Sequence, residues 1–246
     1  MPHSRSAPDA KLTQEEDVRR QMVSFNFYRV LPEWRRLPRV EREEHRREAA
    51  DVLRRWGLPG ELKVLTYSTV GMRADAQMML WRICYSLDCL QRMSADLLGT
   101  ALGGYVETSH SYLGMTKRSQ YVISPSSHQH YAFRGAIVPG EFQYLFVFPL
   151  TKTREWYSQP WQERQRLIGE YVEAMEEYSR VRLHVMYSYG VSDQDYVIAL
   201  ETNYPEDVLD MSQNLRETEN NGYILSDTPV FSCVQTTAEE MLERLG

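Results

Sequence analysis

The sequence predicts an α+β barrel built from two copies of one βαββαβ unit, and three observations carry that prediction. The first is an internal repeat. EWRRLPRVER (33–42) and EWYSQPWQER (155–164) share the pattern E-W-x-x-x-P-x-x-E-R, so Trp34, Pro38 and Arg42 match Trp156, Pro160 and Arg164. The second is another match at nearly the same spacing. TYSTVGMRADAQMML (66–80) faces MYSYGVSDQDYVIAL (186–200), pairing Tyr67 with Tyr187, Ser68 with Ser188, Asp75 with Asp195 and Leu80 with Leu200. The third is the order in which strand and helix periodicities alternate, which is the same in both halves. Together they indicate a tandem duplication.

Each unit opens on an aromatic, β-rich strand, VSFNFYRV (23–30) or YLFVFPL (144–150). A Trp-bearing turn follows, then an amphipathic helix entered through proline, whose missing N–H costs nothing in a first turn. These helices span 39–56 and 160–179. In the second, Ile168, Tyr171, Met175 and Tyr178 fall on one stripe. Two strands come next, 62–70 and 76–83, then 181–188 and 195–201, with turn signals Ala74-Asp75 and Gln194-Asp195 before the second of each pair. A second helix (86–102; 205–217) and a last strand (105–114; 223–234) complete each copy. The order βαββαβ is the ferredoxin-like unit, a four-stranded antiparallel sheet with two helices on one face. Two such sheets can pack face to face, leaving a core or cavity between sheets and helices. The expected organisation is a flexible tail (1–21), a first unit (22–117), a connector with SPSSH and VPGE turn signals (118–141), and a second unit ending in a short helix (142–246).

Composition narrows the function classes. The chain has 246 residues, 42% hydrophobic and 25% charged, enough for one large domain or two small ones. Its net charge of -6 leaves no electrostatic footprint for nucleic acid. Basic clusters such as RRWG (54–57) and Arg46-Arg47 are interleaved with glutamates and read as solvated helix faces. No stretch reaches the ~18 consecutive apolar residues of a membrane helix. The polar start, MPHSRSAPDAKLTQEEDVRR, lacks the apolar core of a secretory signal. Cys84, Cys89 and Cys233 show no CxxC spacing and read as reduced, buried thiols of a cytoplasmic protein. His128 and His130 share a metal only if their loop folds onto a further ligand.

Three stretches, LLGTALGGYVETSHSYLGMTKRSQYV (97–122), FPLTKTREWY (148–157) and YSYGVSDQDYVIALET (187–202), resemble the chlorite dismutase family. The similarity runs from about 22 to 236 and preserves the order of elements. The resemblance implies a heme protein of paired ferredoxin-like units, assembled as a homopentamer. Its members either decompose chlorite on heme b or oxidise two propionates of coproheme with peroxide. Both hold iron through a histidine on the helix after the E-W motif, and that position is Tyr171 here. The arginine that chlorite dismutases place over the iron corresponds to Leu183, with Arg182 one residue away on the opposite face. The redox tyrosine of coproheme decarboxylases corresponds to Phe148. Glu217 matches the carboxylate that orients the proximal ligand, Trp156 and Tyr157 match an aromatic pair lying against the heme, and Lys152 and Tyr121 match positions near the propionates.

The expected function is therefore tetrapyrrole binding or handling, with heme b or coproheme as cofactor, by a pseudoenzyme whose iron ligation is degenerate. Tyr171 is the one metal-ligand candidate, as a tyrosinate. Two alternatives stand beside it. One is a heme-free barrel acting on a small molecule without metal, with Tyr171, His184 and Glu217 as polar pocket residues. The other is an oligomeric scaffold that binds a protein partner, its 16 Tyr and 5 Trp packing a core or an interface.

Overall fold

Alternation of side chains along eight strands builds three apolar layers rather than one. The computed structural model describes residues 19–121 and 136–246. In the first unit β1 (Met22–Val30) is followed by α1 (Pro32–Arg35), α2 (Arg39–Gly57), β2 (Leu62–Ser68), β3 (Met78–Cys84), α3 (Leu87–Leu98) and β4 (Val106–Met115). The second unit repeats this as β5 (Tyr144–Lys152), α4 (Arg154–Ser158), α5 (Trp161–Glu176), β6 (Arg182–Tyr187), β7 (Tyr196–Thr202) and α6 (Pro205–Glu217). It closes with β8 (Ile224–Ser226), β9 (Phe231–Gln235) and α7 (Ala238–Glu243).

All the principal strand pairings are antiparallel, in the order β7-β6-β4-β1-β3-β2-β9-β5, and β5 pairs back onto β7. The sheet is therefore a closed barrel, with the first strand of each unit central in its half. The halves meet at two narrow seams, Met115 with Tyr187 and Tyr67–Ser68 with Val234–Gln235. Closure removes the exposed edges of each half. One set of alternating residues, including Phe25, Phe27, Met79, Trp81, Val147, Val197 and Phe231, fills the barrel. The other set faces outward under the helices, around Tyr28, Leu53 and Leu80 in the first unit and Leu150, Leu183 and Ile198 in the second.

The duplication is visible in the side chains as well as the backbone. Trp34 and Trp156 are both fully buried, and Pro38 and Pro160 both precede the first turn of the long helix. In both copies the indole N–H of the Trp and the Nε of the Arg (Arg42, Arg164) are buried, with no hydrogen-bond partner among the described residues.

Three expectations are corrected by the backbone. The helix expected over 86–102 stops at Leu98, and a 3-10 turn runs from Leu102 to Tyr105. Gly103 lies so close to Leu98 that a Cβ there would stand 2.2 Å from its carbonyl oxygen, so a side chain has no room. The last strand expected over 223–234 is split into β8 and β9 around Pro229, which has no N–H to donate to a ladder. The matched residues Tyr67 and Tyr187 are not equivalent. The β2–β3 hairpin closes on Ser68 and Met78 and the β6–β7 hairpin on Tyr187 and Tyr196, so Tyr187 stands where Ser68 does. The turns 69–77 and 188–195 differ by one residue, and a one-residue slip exchanges the faces of a strand. Tyr67 is accordingly inside the barrel, and Tyr187 faces the layer under α5 outside it.

The two units differ most in what covers their outer layers. Helix α7 returns to the first unit, capped by Thr237 and Glu240, and its Glu239 carboxylate accepts from Arg54 on α2 at 2.6 Å. Met241, Leu242 and Leu245 complete the layer between α2, α3 and the first sheet. We expect Leu242→Ala to lower unfolding free energy by about 2–5 kcal/mol in a urea titration, as for other buried leucines. A change under ~1 kcal/mol would show that α7 is not part of the first unit's core.

Candidate functional site

Among the described residues no helix fills the corresponding space in the second unit, and a cavity remains between its sheet and α5. Its volume is about 80 Å³. Strand alternation supplies one wall: Leu150 and Lys152 from β5, Leu183, Val185 and Tyr187 from β6, Tyr196 and Ile198 from β7. Helical spacing supplies the other, Ile168, Tyr171, Val172 and Met175. Ser119, Tyr121 and Asn220 stand at the remaining side. The walls are mostly apolar, with one amine and a group of phenols, the composition of a small-molecule site.

Lys152 is the cation of this site. It is 6% exposed, its Nζ donates to Asn220 Oδ1 at 2.8 Å, and it lies 4.3 Å from the centre of the Trp156 ring. Among the described residues no carboxylate lies in ion-pair contact with it. Burial lowers its pKa to about 8, against a smaller opposing effect of Asp195, whose carboxylate accepts from the Lys152 backbone N–H at 2.7 Å. Arg164 and Lys117 lie over the rings of two wall tyrosines, Tyr121 and Tyr187, at 5.8 and 5.7 Å.

Tyr171 faces the cavity from the middle of α5. Burial pushes its hydroxyl up to about 12, with Asp227 adding to the shift. The phenol is therefore neutral at physiological pH, and forming a tyrosinate costs more here than in water. Among the described residues no three His, Cys, Asp or Glu side chains converge to hold a metal ion. His128 and His130 lie outside the described residues.

The residues picked out in the sequence separate into two groups. Tyr171, Lys152, Tyr121 and Leu183 line the cavity; Glu217, Trp156, Tyr157, Phe148 and His184 do not. Glu217 is exposed at the end of α6, because the helix turns its apolar stripe, Val208, Met211 and Leu215, to the sheet. The carboxylate that acts on Tyr171 is Asp227, which accepts from Arg216 at 3.1 Å. Trp156 is packed behind Lys152 between the rings of Tyr121 and Tyr223, at 6.2 and 5.8 Å, as an anchor of the fold. Tyr157, its neighbour on the short helix α4, is 44% exposed. Phe148 packs in the outer layer of the second sheet. Arg182 turns away from Leu183, donating to the Val138 carbonyl at 3.2 Å.

His184 is likewise not a cavity residue. It lies inside the barrel, edge-on to Trp81, with Nε2 2.7 Å from Oε2 of Glu201. Glu201 also accepts from the Gly140 N–H at 2.9 Å. The pair is buried, and it joins the connector to the second sheet. Tyr187, Tyr196, Asn220 and Ser119 also line the cavity, and no local pattern singles them out, because their places depend on hairpin register and on segments distant in the chain.

A sequence model described as chlorite dismutase matches residues 42–236. Coproheme decarboxylase of Mycolicibacterium smegmatis is 27% identical over 199 residues, covering 80% of this chain and 84% of that protein. Chlorite dismutase of Ideonella dechloratans is 23% identical over 184 residues, 74% of this chain and 64% of that protein. The structure of chlorite dismutase from Candidatus Nitrospira defluvii in complex with imidazole superposes with a TM-score of 0.82 at 21% identity, covering 91% of this chain and 94% of that one. That likeness establishes the shared barrel, and the family match over most of the chain establishes descent: this protein belongs to the chlorite dismutase family.

Proposed function

We propose that the protein binds a tetrapyrrole, heme b or coproheme, in the second-unit cavity and handles it rather than decomposing chlorite. The observation that carries this reading is the asymmetry between the two units. The same layer is filled by α7 in the first unit and stands open, with apolar walls and a buried cation, in the second. The chemistry of the walls suits a flat apolar macrocycle with carboxylate arms, but at about 80 Å³ the cavity is too small for one, so binding requires α5 to move away from the sheet. Lys152 would meet a carboxylate, while Val172, Met175, Leu183, Val185 and Ile198 would lie against the ring system.

When bound, heme iron supplies redox and Lewis-acid chemistry. The residues around the cavity support holding it only weakly. Tyr171 must lose a proton that its surroundings retain, and Leu183 presents no cation to a reacting anion. Phe148 has no hydroxyl to oxidise. A pseudoenzyme that stores, delivers or senses the tetrapyrrole agrees with these three positions better than a turnover catalyst. We further infer a cytoplasmic homo-oligomer, a pentamer by resemblance to the family.

Titration with hemin, followed through the Soret band, tests the reading. A saturable shift near one hemin per chain is expected, and Tyr171→His should tighten binding by roughly tenfold or more, since imidazole ligates without losing a proton. A response from Tyr171→His alone would mean that the wild-type cavity takes another small molecule. Silence from both chains would redirect the search to a protein partner.

The pH dependence of binding tests Lys152 separately. A carboxylate is held by the charged amine, which persists below a pKa of about 8 and is lost above it. Affinity is therefore expected to fall as pH rises through 8 to 9, where an ordinary lysine with pKa ~10.4 would still be charged. Lys152→Met should bind more weakly at pH 7 and lose this step. An unchanged pH profile in that variant would remove Lys152 from the site.

A further inference from the structure

The duplication puts an amine where the fold itself needs none. Two backbone hydrogen bonds fix the equivalence. In the first unit the Leu31 N–H donates to the Tyr105 carbonyl at 2.9 Å, and in the second the Thr153 N–H donates to the Tyr223 carbonyl at 3.0 Å. Each bond ties the residue after the unit's first strand to the last residue of its 3-10 turn. One residue back along the strand, Lys152 therefore stands where Val30 does. Three residues back along the turn, Asn220 stands where Leu102 does. Val30 and Leu102 are buried apolar residues of the filled layer. Their counterparts beside the open cavity are an amine and an amide joined by a 2.8 Å hydrogen bond. One backbone thus holds either pair. Burying an ammonium that meets no paired carboxylate among the described residues costs free energy that the apolar pair avoids. A cost borne in one copy and spared in the other marks a functional position.

The space beside the amine limits what it can take. At about 80 Å³ the cavity has roughly half the volume of an apolar cavity that admits benzene (~150 Å³), room for about three or four non-hydrogen atoms. Leu150, Leu183, Val185 and Ile198 make its walls apolar. Tyr171, Tyr187 and Tyr196 add phenols that burial keeps neutral. The same burial favours the uncharged amine. With its pKa lowered to about 8, roughly a tenth of Lys152 is neutral at pH 7, against under about a thousandth of an ordinary lysine. A desolvated neutral lysine is a nucleophile toward carbonyl carbon.

We propose that Lys152 is a covalent binding site for a short aliphatic aldehyde, held reversibly as an imine. The Nζ lone pair attacks the carbonyl carbon and forms the C–N bond, and a proton from nitrogen passes to the carbonyl oxygen. The carbinolamine then loses that oxygen as water, with the second proton of the amine, and C=N remains. Nothing is oxidised or reduced. When protonated, the imine keeps one N–H for Asn220 Oδ1 and a positive charge for the Trp156 ring, the two partners that Lys152 already has. Water reverses the reaction, so the site captures and releases a carbonyl compound without turnover. The aldehyde occupies the closed cavity and does not need the displacement of α5 that a tetrapyrrole requires.

Reductive trapping tests the site in the full chain without hemin, so the outcome is independent of tetrapyrrole binding. The protein is incubated at pH 7 with propionaldehyde and cyanoborohydride, and propylation of each lysine is followed by peptide mass spectrometry. Lys152 is expected to react roughly tenfold or more faster than the exposed Lys63, by a margin that narrows toward pH 10 as both amines lose their protons. Pyrene carboxaldehyde, too large for the cavity, should label Lys63 and not Lys152. Asn220→Asp places a carboxylate against the amine and holds it as the ammonium, so it should slow propylation of Lys152 at pH 7 by roughly tenfold. Thermal melts check that this variant is folded, and the comparison of lysines within the wild-type chain stands whether or not it is. Propylation of Lys152 no faster than that of Lys63 at pH 7, equal labelling of Lys152 by the large and the small aldehyde, or undiminished labelling in a folded Asn220→Asp chain would each overturn the proposal.

Discussion

Closure of the eight strands into a barrel means that each half-sheet has to be covered on both faces. The inner face of each half is covered by the other half, around Phe27, Trp81 and Phe231. The outer face is left to helices, and every strand residue is thereby assigned to the barrel or to a helix layer by parity alone. The site follows from this constraint. Leu183, Val185 and Tyr187 reach the cavity because His184 and Met186 are committed to the interior. A shift by one residue on β6 would exchange a cavity wall for a barrel core.

Duplication supplied two outer layers, and the chain uses them differently. In the first, the C-terminal helix and the 3-10 turn after α3 complete the apolar packing. In the second, α5 and α6 stand over the sheet, the matching 3-10 turn (Glu219–Tyr223) brings Asn220 to the cavity, and among the described residues no further helix enters the layer. The tryptophans of the two E-W motifs remain alike in both copies, as expected for anchors of the unit rather than groups of a site.

The electrostatics of the two polar clusters differ in kind. His184 Nε2 and the Glu201 carboxylate are enclosed with each other and with the Gly140 N–H, while His184 Nδ1 is buried with no hydrogen-bond partner among the described residues. Among the described residues Lys152 meets the Asn220 side chain and carbonyl and the Trp156 ring but no paired carboxylate, and Tyr171 is a buried phenol. Unanswered polarity beside an open apolar space is what a ligand with both ring surface and carboxylates would complete.

Much of this was legible in the sequence. The two E-W-x-x-x-P-x-x-E-R segments established the duplication, proline and periodicity placed the long helices, and strand order gave the barrel. Tyr171 could be placed on a helical stripe because that periodicity is local, whereas Lys152, Tyr121 and Leu183 could be named only through the resemblance to the chlorite dismutase family. What the tertiary structure alone decided is non-local. Glu217 was expected inward but lies on the exposed side of α6, because the rotation of a helix is set by the sheet it packs on. His184 was expected at the pocket but pairs with Glu201, because parity on β6 is fixed by its pairing with β7. Tyr187 was equated with Tyr67 until a turn shorter by one residue put them on opposite faces. The return of α7 to the first unit, which leaves only the second layer open, follows from packing between residues nearly two hundred positions apart, such as Arg54 and Glu239, and no local pattern encodes that distance.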